Sequence, residues 1–377
     1  MADRPRPYGL IALAGALFLA APALADTVRV ATFNASLSRD TAGALLQDIE
    51  DRDAQVLAAA EVILAVAPDV LLLNEIDHDP QSRSLDAFIA LLAERGLVYE
   101  HSFTAPVNTG ELTGLDLDGD GSTTGPNDAY GWGRWPGHFG MAVLSRYPLG
   151  EARSFRLLRW AEFEGNLMPE EVQEPARSVL RLSSKSHWDV PVELPGGPVH
   201  LLASHPTPPV FDGPEDTNGR RNHDEVMFWV RYLDGTPFTD DAGVTAALGD
   251  APVIVAGDLN ADPFDGDARR EALAALLAHP RLQDPGQESA GAIAAAEMQG
   301  GLNAAHAGPA AQDTSDWNDE RGPGNLRVDY VLPSADLEVS GSGVWWPAPD
   351  KPGAEHVGFG EAISSDHRLV WVDIEVD

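Results

Sequence analysis

Short runs rich in β-branched and apolar residues alternate with helical patterns along this chain, and that alternation restricts it to layered α/β architectures. Strand-like runs occur at residues 28–33, 70–73, 140–144, 179–182, 199–203, 253–256, 328–332, 337–345 and 369–374. Their lengths suit strands buried in sheets. Between the first two lies a segment rich in Ala, Leu and Glu, residues 41–66, which reads as one helix stopped by Pro68. Further helices are expected over 84–95, 220–233 and 268–277. In 220–233, Val226, Trp229, Val230 and Leu233 recur at helical spacing and place one stripe on the core.

Arg4 and Arg6 precede an apolar stretch at 10–21, and Ala23-Leu24-Ala25 supplies a small-x-small cleavage pattern, so residues 1–25 read as a secretory leader. A retained N-terminal anchor is the alternative. Residues 26–377 then form one expected domain, secreted to the periplasm or outside the cell. No later stretch is long and uncharged enough to span a bilayer, no stable membrane insertion is expected, and no obligate protein partner is evident. A secreted chain without cysteine must be held by packing and by any bound metal. The formal net charge of -34 argues against tight, non-specific nucleic-acid binding. It does not exclude a local cationic site, since the Debye length is about 8 Å at physiological salt.

Polar groups suited to phosphate chemistry stand where strand-like runs meet loops: Asn34 after VRVATF, Glu75 after DVLLLN, and His205 after VHLLAS. The others are Asp258 and Asn260 in VIVAGDLN, Asp329 in RVDYVL, and Asp366 and His367 in Ser365-Asp366-His367. Open α/β sheets gather ligand sites at such strand ends. Singly, each has an ordinary explanation: Asn34 as a turn cap, Glu75 as a helix start, Asp258 and Asn260 as turn formers, Asp329 as a partner for Arg327.

Taken in order, TFN, LLLNE, the lone histidine, GDLN, RVDYVL and SDH resemble the endonuclease/exonuclease/phosphatase superfamily over about residues 28–374. GDLN and SDH are the specific pieces. The resemblance implies a four-layer α/β sandwich of the DNase I type, with two packed mixed β-sheets flanked by helices and the site at one rim. It implies a divalent-metal-dependent hydrolase of phosphate esters acting by in-line attack of water. Glu75 then resembles the principal metal carboxylate, assisted by Asn34 and Asp366, and oxygen ligands of this kind suit Mg2+ or Mn2+. Asp258 would orient or deprotonate the water, Asn260 would hold the phosphate, and His205 would donate to the phosphate or protonate the leaving group. Asp329 would fix the tautomer of His367 and raise its pKa. Pro206, Pro208 and Pro209 depart from the family's usual text after the histidine, which puts the substrate wall in doubt. The substrate is left open among nucleic acid, a phospholipid head group and a small phosphorylated metabolite.

Other residues carry weaker signals. Asp116, Asp118, Asp120 and Ser122 have the spacing of a Ca2+ loop, with Asn127 or Asp128 where a closing glutamate normally stands; a solvated acidic turn is the alternative. Arg220 and Arg221 open a helix and could clamp a phosphate, or pair with Asp224 or Glu225. His187, Trp188 and the aromatic segment 130–140 could line the cleft or close a core edge, and Lys185 could contact an anionic substrate. A binding protein whose chemistry has lapsed, or a calcium-stabilised extracellular module, are the competing readings.

Overall fold

The computed structural model describes Met1 and residues 26–376, so the expected leader lies outside the described residues apart from Met1. One mixed sheet has six strands: β1 (Asp26–Leu37), β2 (Val70–Ile76), β3 (His101–Phe103), β4 (Met141–Ser145), β12 (Val339–Trp345) and β13 (Leu369–Val376), in the order β12-β13-β1-β2-β4-β3. The other has five: β5 (Arg153–Ser154), β6 (His187–Leu194), β7 (Gly197–Ser204), β10 (Val253–Asp258) and β11 (Asp329–Pro333), in the order β11-β10-β7-β6-β5. A small hairpin pairs β8 (Phe238–Thr239) with β9 (Thr245–Ala246).

Alternation along the strands explains why the sheets stack. In β7, Leu201 and Ala203 enter the core shared with the first sheet, whereas Leu202 joins the cluster under helix α5 (Thr217–Leu233). In β10, Ile254 and Ala256 face the partner sheet, and Val253 and Val255 face α5 and α6 (Arg270–Leu277). Helices α1 (Ala44–Glu50), α2 (Ala54–Val66) and α3 (Arg83–Glu94) contribute Leu45, Val56, Ile63, Phe88 and Leu92 to the first sheet's core. The result is helix, sheet, sheet, helix: the four-layer sandwich. Short helices α4 (Ala176–Val179) and α8 (Ala354–Val357) and the Ala-rich α7 (Ala290–Gln299) complete the described elements. No described helix is long and apolar enough to cross a membrane.

Three expectations are corrected. The single helix at 41–66 is two, because Arg52 is left-handed (φ 58) and the Asp53 carboxylate accepts from Gln55 N at 2.9 Å, capping a new start. The strand at 179–182 is instead the end of α4 followed by a single bridge, Arg159 to Arg181. The strand β6 went unread because Pro191 and Asp189 interrupt its apolar pattern, yet it pairs with β7 from His187–Ser204 to Leu194–Gly197.

Candidate active site

The strand directions bring the polar ends together. β1 and β2 run parallel with Asn34 opposite Asn74, so Glu75 follows at the same rim. β7 and β10 also run parallel, delivering His205 and Asp258, and β11 runs antiparallel with Asp329 directly opposite Asp258. His367 lies just ahead of β13. Gly257 permits this convergence: its φ is 147, and a Cβ there would stand 2.0 Å from Ser204 O. Glu75 (φ 58) and Asn260 (φ 51) both sit in the left-handed region that side chains avoid, a strain that accumulates at functional sites.

Asp258 is the hub. Its Oδ2 accepts from Asn34 Nδ2 at 3.0 Å and lies 3.3 Å from His205 Nε2 and 3.7 Å from His367 Nε2. Its Oδ1 accepts from Asn260 N at 2.9 Å. His367 Nδ1 is 2.9 Å from Asp329 Oδ2, which also accepts from Thr314 Oγ1 at 2.8 Å. Asn260 spends one amide hydrogen on Pro206 O at 3.1 Å, tying the loops after β7 and β10 together.

These groups are dry, and their ionisation follows. Burial acts to lower the His367 pKa, but Asp329 and Asp258 outweigh it and hold the imidazole well above its ordinary value. Burial pushes the Asp329 carboxyl up to about 6, so the proton of that pair rests on His367. Burial would also raise Asp258, yet the charges of His367 and His205 depress it below the usual range, leaving an anion. His205 falls to about 4 through burial and the charge of Lys185, so it is neutral at pH 7. A neutral imidazole has a single N–H to donate.

Glu75 and Asp366 are only half-buried and stand at the mouth. Burial and the Asp366 charge push Glu75 up to about 7, a repulsion that a bound cation would relieve. Asp366 accepts from Ser36 Oγ at 3.2 Å and Trp317 Nε1 at 2.9 Å, which fixes its orientation. With Asn34 Oδ1 they would offer oxygen ligands of the kind a hard divalent ion takes. Asp258, Asp329 and His367 also offer ligand atoms within 4.8 Å of one another. Within that trio Asp258 Oδ2 and Asp329 Oδ2 also serve Asn34 and Thr314, while Asp329 Oδ1 has no hydrogen-bond partner.

Other expected residues are placed differently. Arg221 donates to the carbonyls of Leu182, Tyr130, Arg181 and Ser183, and Arg220 to those of Glu215 and Leu167. The phosphate clamp expected of them is therefore corrected: these guanidinium groups brace loops. Asp116, Asp118 and Asp120 do converge within 4.8 Å, exposed, and Asp120 accepts from Ser122 N at 2.7 Å. Of the two residues expected to close the loop, Asn127 donates Nδ2 to Asp118 Oδ2, and the buried Asp128 carboxylate accepts from Leu117 N and Gly125 N. His187 is buried against Ser183 Oγ and Glu225 O, and Trp188 packs edge-on to Phe103, so both close the core rather than line the cleft. Of the aromatic segment, Trp132 is 48% exposed, and Trp135 Nε1 donates to Arg39 O. A cavity of about 790 Å³ at the other end of the strands is lined by Pro198, Val199, Pro252 and Leu337 together with Asp336, Glu338 and Glu375, and no histidine lines it.

Residues missed in the sequence support the rim. Asn74 Oδ1 accepts from Asp258 N, Asn222 Nδ2 from α5 donates to Thr207 O and Leu259 O, and Glu225 accepts from Ser184 N and Thr207 N. A polar residue on the apolar stripe of an amphipathic helix was the available signal for the α5 pair.

Beside Thr314, Asp313 is 7% exposed and has no hydrogen-bonded side-chain partner among the described residues. Burial, with Asp262 and Asp265 nearby, pushes it up to about 8. The folded carboxyl thus keeps a proton that an unfolded aspartate loses near about pH 4, so native stability falls as pH rises through that interval. Asp313→Asn is expected to stabilise the protein by about 2 kcal/mol at pH 8, a rise of roughly 3 °C in Tm, with no gain at pH 4. Melting curves of both proteins at the two pH values check this; a gain independent of pH refutes it.

Residues 31–367 match the model of the Endonuclease/Exonuclease/phosphatase family. No curated protein matches the sequence. Among solved structures, the fold resembles an endonuclease/exonuclease/phosphatase from Beutenbergia cavernae DSM 12333, with a TM-score of 0.52 and 21% identity, over 93% of this chain and 72% of that one. Sphingomyelinase C from Streptomyces griseocarneus aligns with a TM-score of 0.48 and 17% identity, over 93% of this chain and 100% of that one. With nearly its whole described length matched and the strand-end polar groups gathered at one rim, the chain belongs to the endonuclease/exonuclease/phosphatase family.

Proposed function

We propose that this chain is a secreted, divalent-metal-dependent hydrolase of phosphate esters, and that water attacks the phosphorus in line. The observation that carries the reading is the anionic Asp258 held among Asn34, His205 and the Asp329–His367 pair. Glu75, Asp366 and Asn34 would hold Mg2+ or Mn2+; when bound, such an ion polarises a phosphoryl oxygen and stabilises the leaving oxyanion. Asp258 orients the water and takes its proton. His367, charged, donates a hydrogen bond toward the phosphate, where negative charge builds in the transition state, and neutral His205 gives its one N–H to Asp258 Oδ2 and steadies that carboxylate. Asn260 positions the Asp258 carboxylate through its backbone amide, and its side chain would hold the phosphate. Secretion rests on the basic and apolar pattern of residues 1–25.

The test is product release from an oligonucleotide, a phosphocholine lipid and a sugar phosphate, each with Mg2+, with Mn2+ and with chelator. Turnover of at least one, lost on chelation, is expected; metal binding without turnover of any ends the reading. A second expectation concerns pH. Because Glu75 holds a proton up to about 7, metal must displace that proton in acid. Mn2+ affinity is therefore expected to fall about tenfold per pH unit below about 7 and to level off above it. Glu75→Gln should weaken binding and flatten the profile, as titration calorimetry at pH 6 and pH 8 would record. An unchanged profile in the variant removes Glu75 from the ligand set.

A further inference from the structure

Lys185 is a buried cation that nothing above uses as a working group. It is 5% exposed and lies just ahead of β6, where His187 pairs with Ser204, so it stands beside the segment that carries His205. Its ammonium makes no ion pair and no hydrogen bond with any described residue. Glu225, the carboxylate with the largest influence on it, has both oxygens occupied: Oε1 by Ser184 N at 2.7 Å and Oε2 by Thr207 N at 2.6 Å. Burial lowers the pKa of this lysine, while the fields of Glu225, Glu75 and Asp258 work to keep it charged. An ammonium on a buried side chain with no counter-ion in contact is costly, and a bound anion would complete it. The neighbouring cation, Arg221, is committed to backbone carbonyls and cannot serve.

We propose that Lys185 is a phosphate-binding residue of this site, its ammonium donating to a non-bridging oxygen of the substrate phosphate seated between Asp258 and Glu75. This rests on the reading of the rim as a phosphate-ester centre. A lysine is a compact point charge on a flexible stem, so it can follow a phosphoryl group whose geometry changes during in-line displacement. The bound phosphate in turn supplies the negative charge that the buried ammonium lacks.

Titration calorimetry of inorganic phosphate into the Mn2+-loaded protein tests the assignment without requiring turnover. Lys185→Met is expected to weaken phosphate binding about tenfold or more, the scale of one charge-assisted hydrogen bond, with Mn2+ binding retained. Lys185→Arg should recover part of the loss. A Lys185→Met protein that binds phosphate as the wild type does, even with an altered Tm, overturns the proposal and leaves Lys185 a structural residue. Should that variant fail to fold, the wild-type crystal structure with Mn2+ and phosphate decides: Lys185 Nζ within hydrogen-bond distance of a phosphate oxygen supports the assignment, and a seated phosphate out of its reach overturns it. The two readings fail separately. An unchanged isotherm alongside intact wild-type turnover ends only the role of Lys185, whereas absence of turnover on every substrate ends the hydrolase reading.

Discussion

Asparagine in place of Asp258 is expected to lower turnover by about 10³-fold or more while the far-ultraviolet circular dichroism spectrum stays unchanged. The size follows from the number of donors this one carboxylate serves. Oδ2 meets Asn34 Nδ2, His205 Nε2 and His367 Nε2, and Oδ1 meets the Asn260 amide. An amide has one acceptor and one donor end, so either orientation turns an NH2 group against N–H donors. The variant also removes a charge that holds His367 protonated. The His367 pKa, followed by NMR, is therefore expected to drop along with the rate. Wild-type turnover in Asp258→Asn would mean that the rim chemistry lies elsewhere; an unmoved His367 pKa would mean that Asp258 does not set the charge of the pair.

The groups that meet at this rim were legible because each is a polar residue where a strand meets a loop, and such junctions are short-range signals. GDLN, for instance, encodes both the left-handed Asn260 and the glycine that lets β10 approach β7. What holds those groups in place was not legible, because it comes from segments remote in sequence. Asn222 and Glu225 look like ordinary helix residues until α5 lands across the loops after β7 and β10. Thr314, in an irregular segment, binds the Asp329 carboxylate and also accepts from Val328 N and Asp329 N. The same limit explains the reading of Arg221, since a cation near a candidate histidine suggests phosphate until four carbonyls are found around it. β6 was hidden for a different reason: a proline inside a strand is tolerated where neighbouring pairing is short, and β5 pairs only through Arg153 and Ser154.

The segment carrying Asp366 and His367 depends on a buried ion pair behind it, and Arg368→Met is expected to cost about 3–5 kcal/mol of stability. Arg368 is fully buried and stacks 4.2 Å above the Trp346 ring. Its Nη1 donates to Ser365 O at 2.8 Å and His367 O at 3.1 Å, and its Nη2 to Asp316 Oδ2 at 2.9 Å. Asp316 in turn donates its backbone amide to Asp366 O at 2.8 Å. One arginine therefore holds the two carbonyls that flank Asp366, while its ion partner holds the third. Burial lowers the guanidinium to about 10 even beside Asp316, which measures how dry the pocket is. Methionine fills the volume but takes the cation away from Asp316, leaving the buried carboxylate with the Gln299 Nε2 and Gly360 N donors and no counter-ion, which costs more than the pair contributed. Tm should fall by roughly 4–7 °C, and adding Asp316→Asn to Arg368→Met should recover part of that loss. Activity should not return with it, because the carbonyls of Ser365 and His367 remain unheld and both Asp366 and His367 lose their aim. Thermal melts and initial rates on the single and double variants separate the two effects; an Arg368→Met protein as stable as the wild type would show that the pair does not carry the loop.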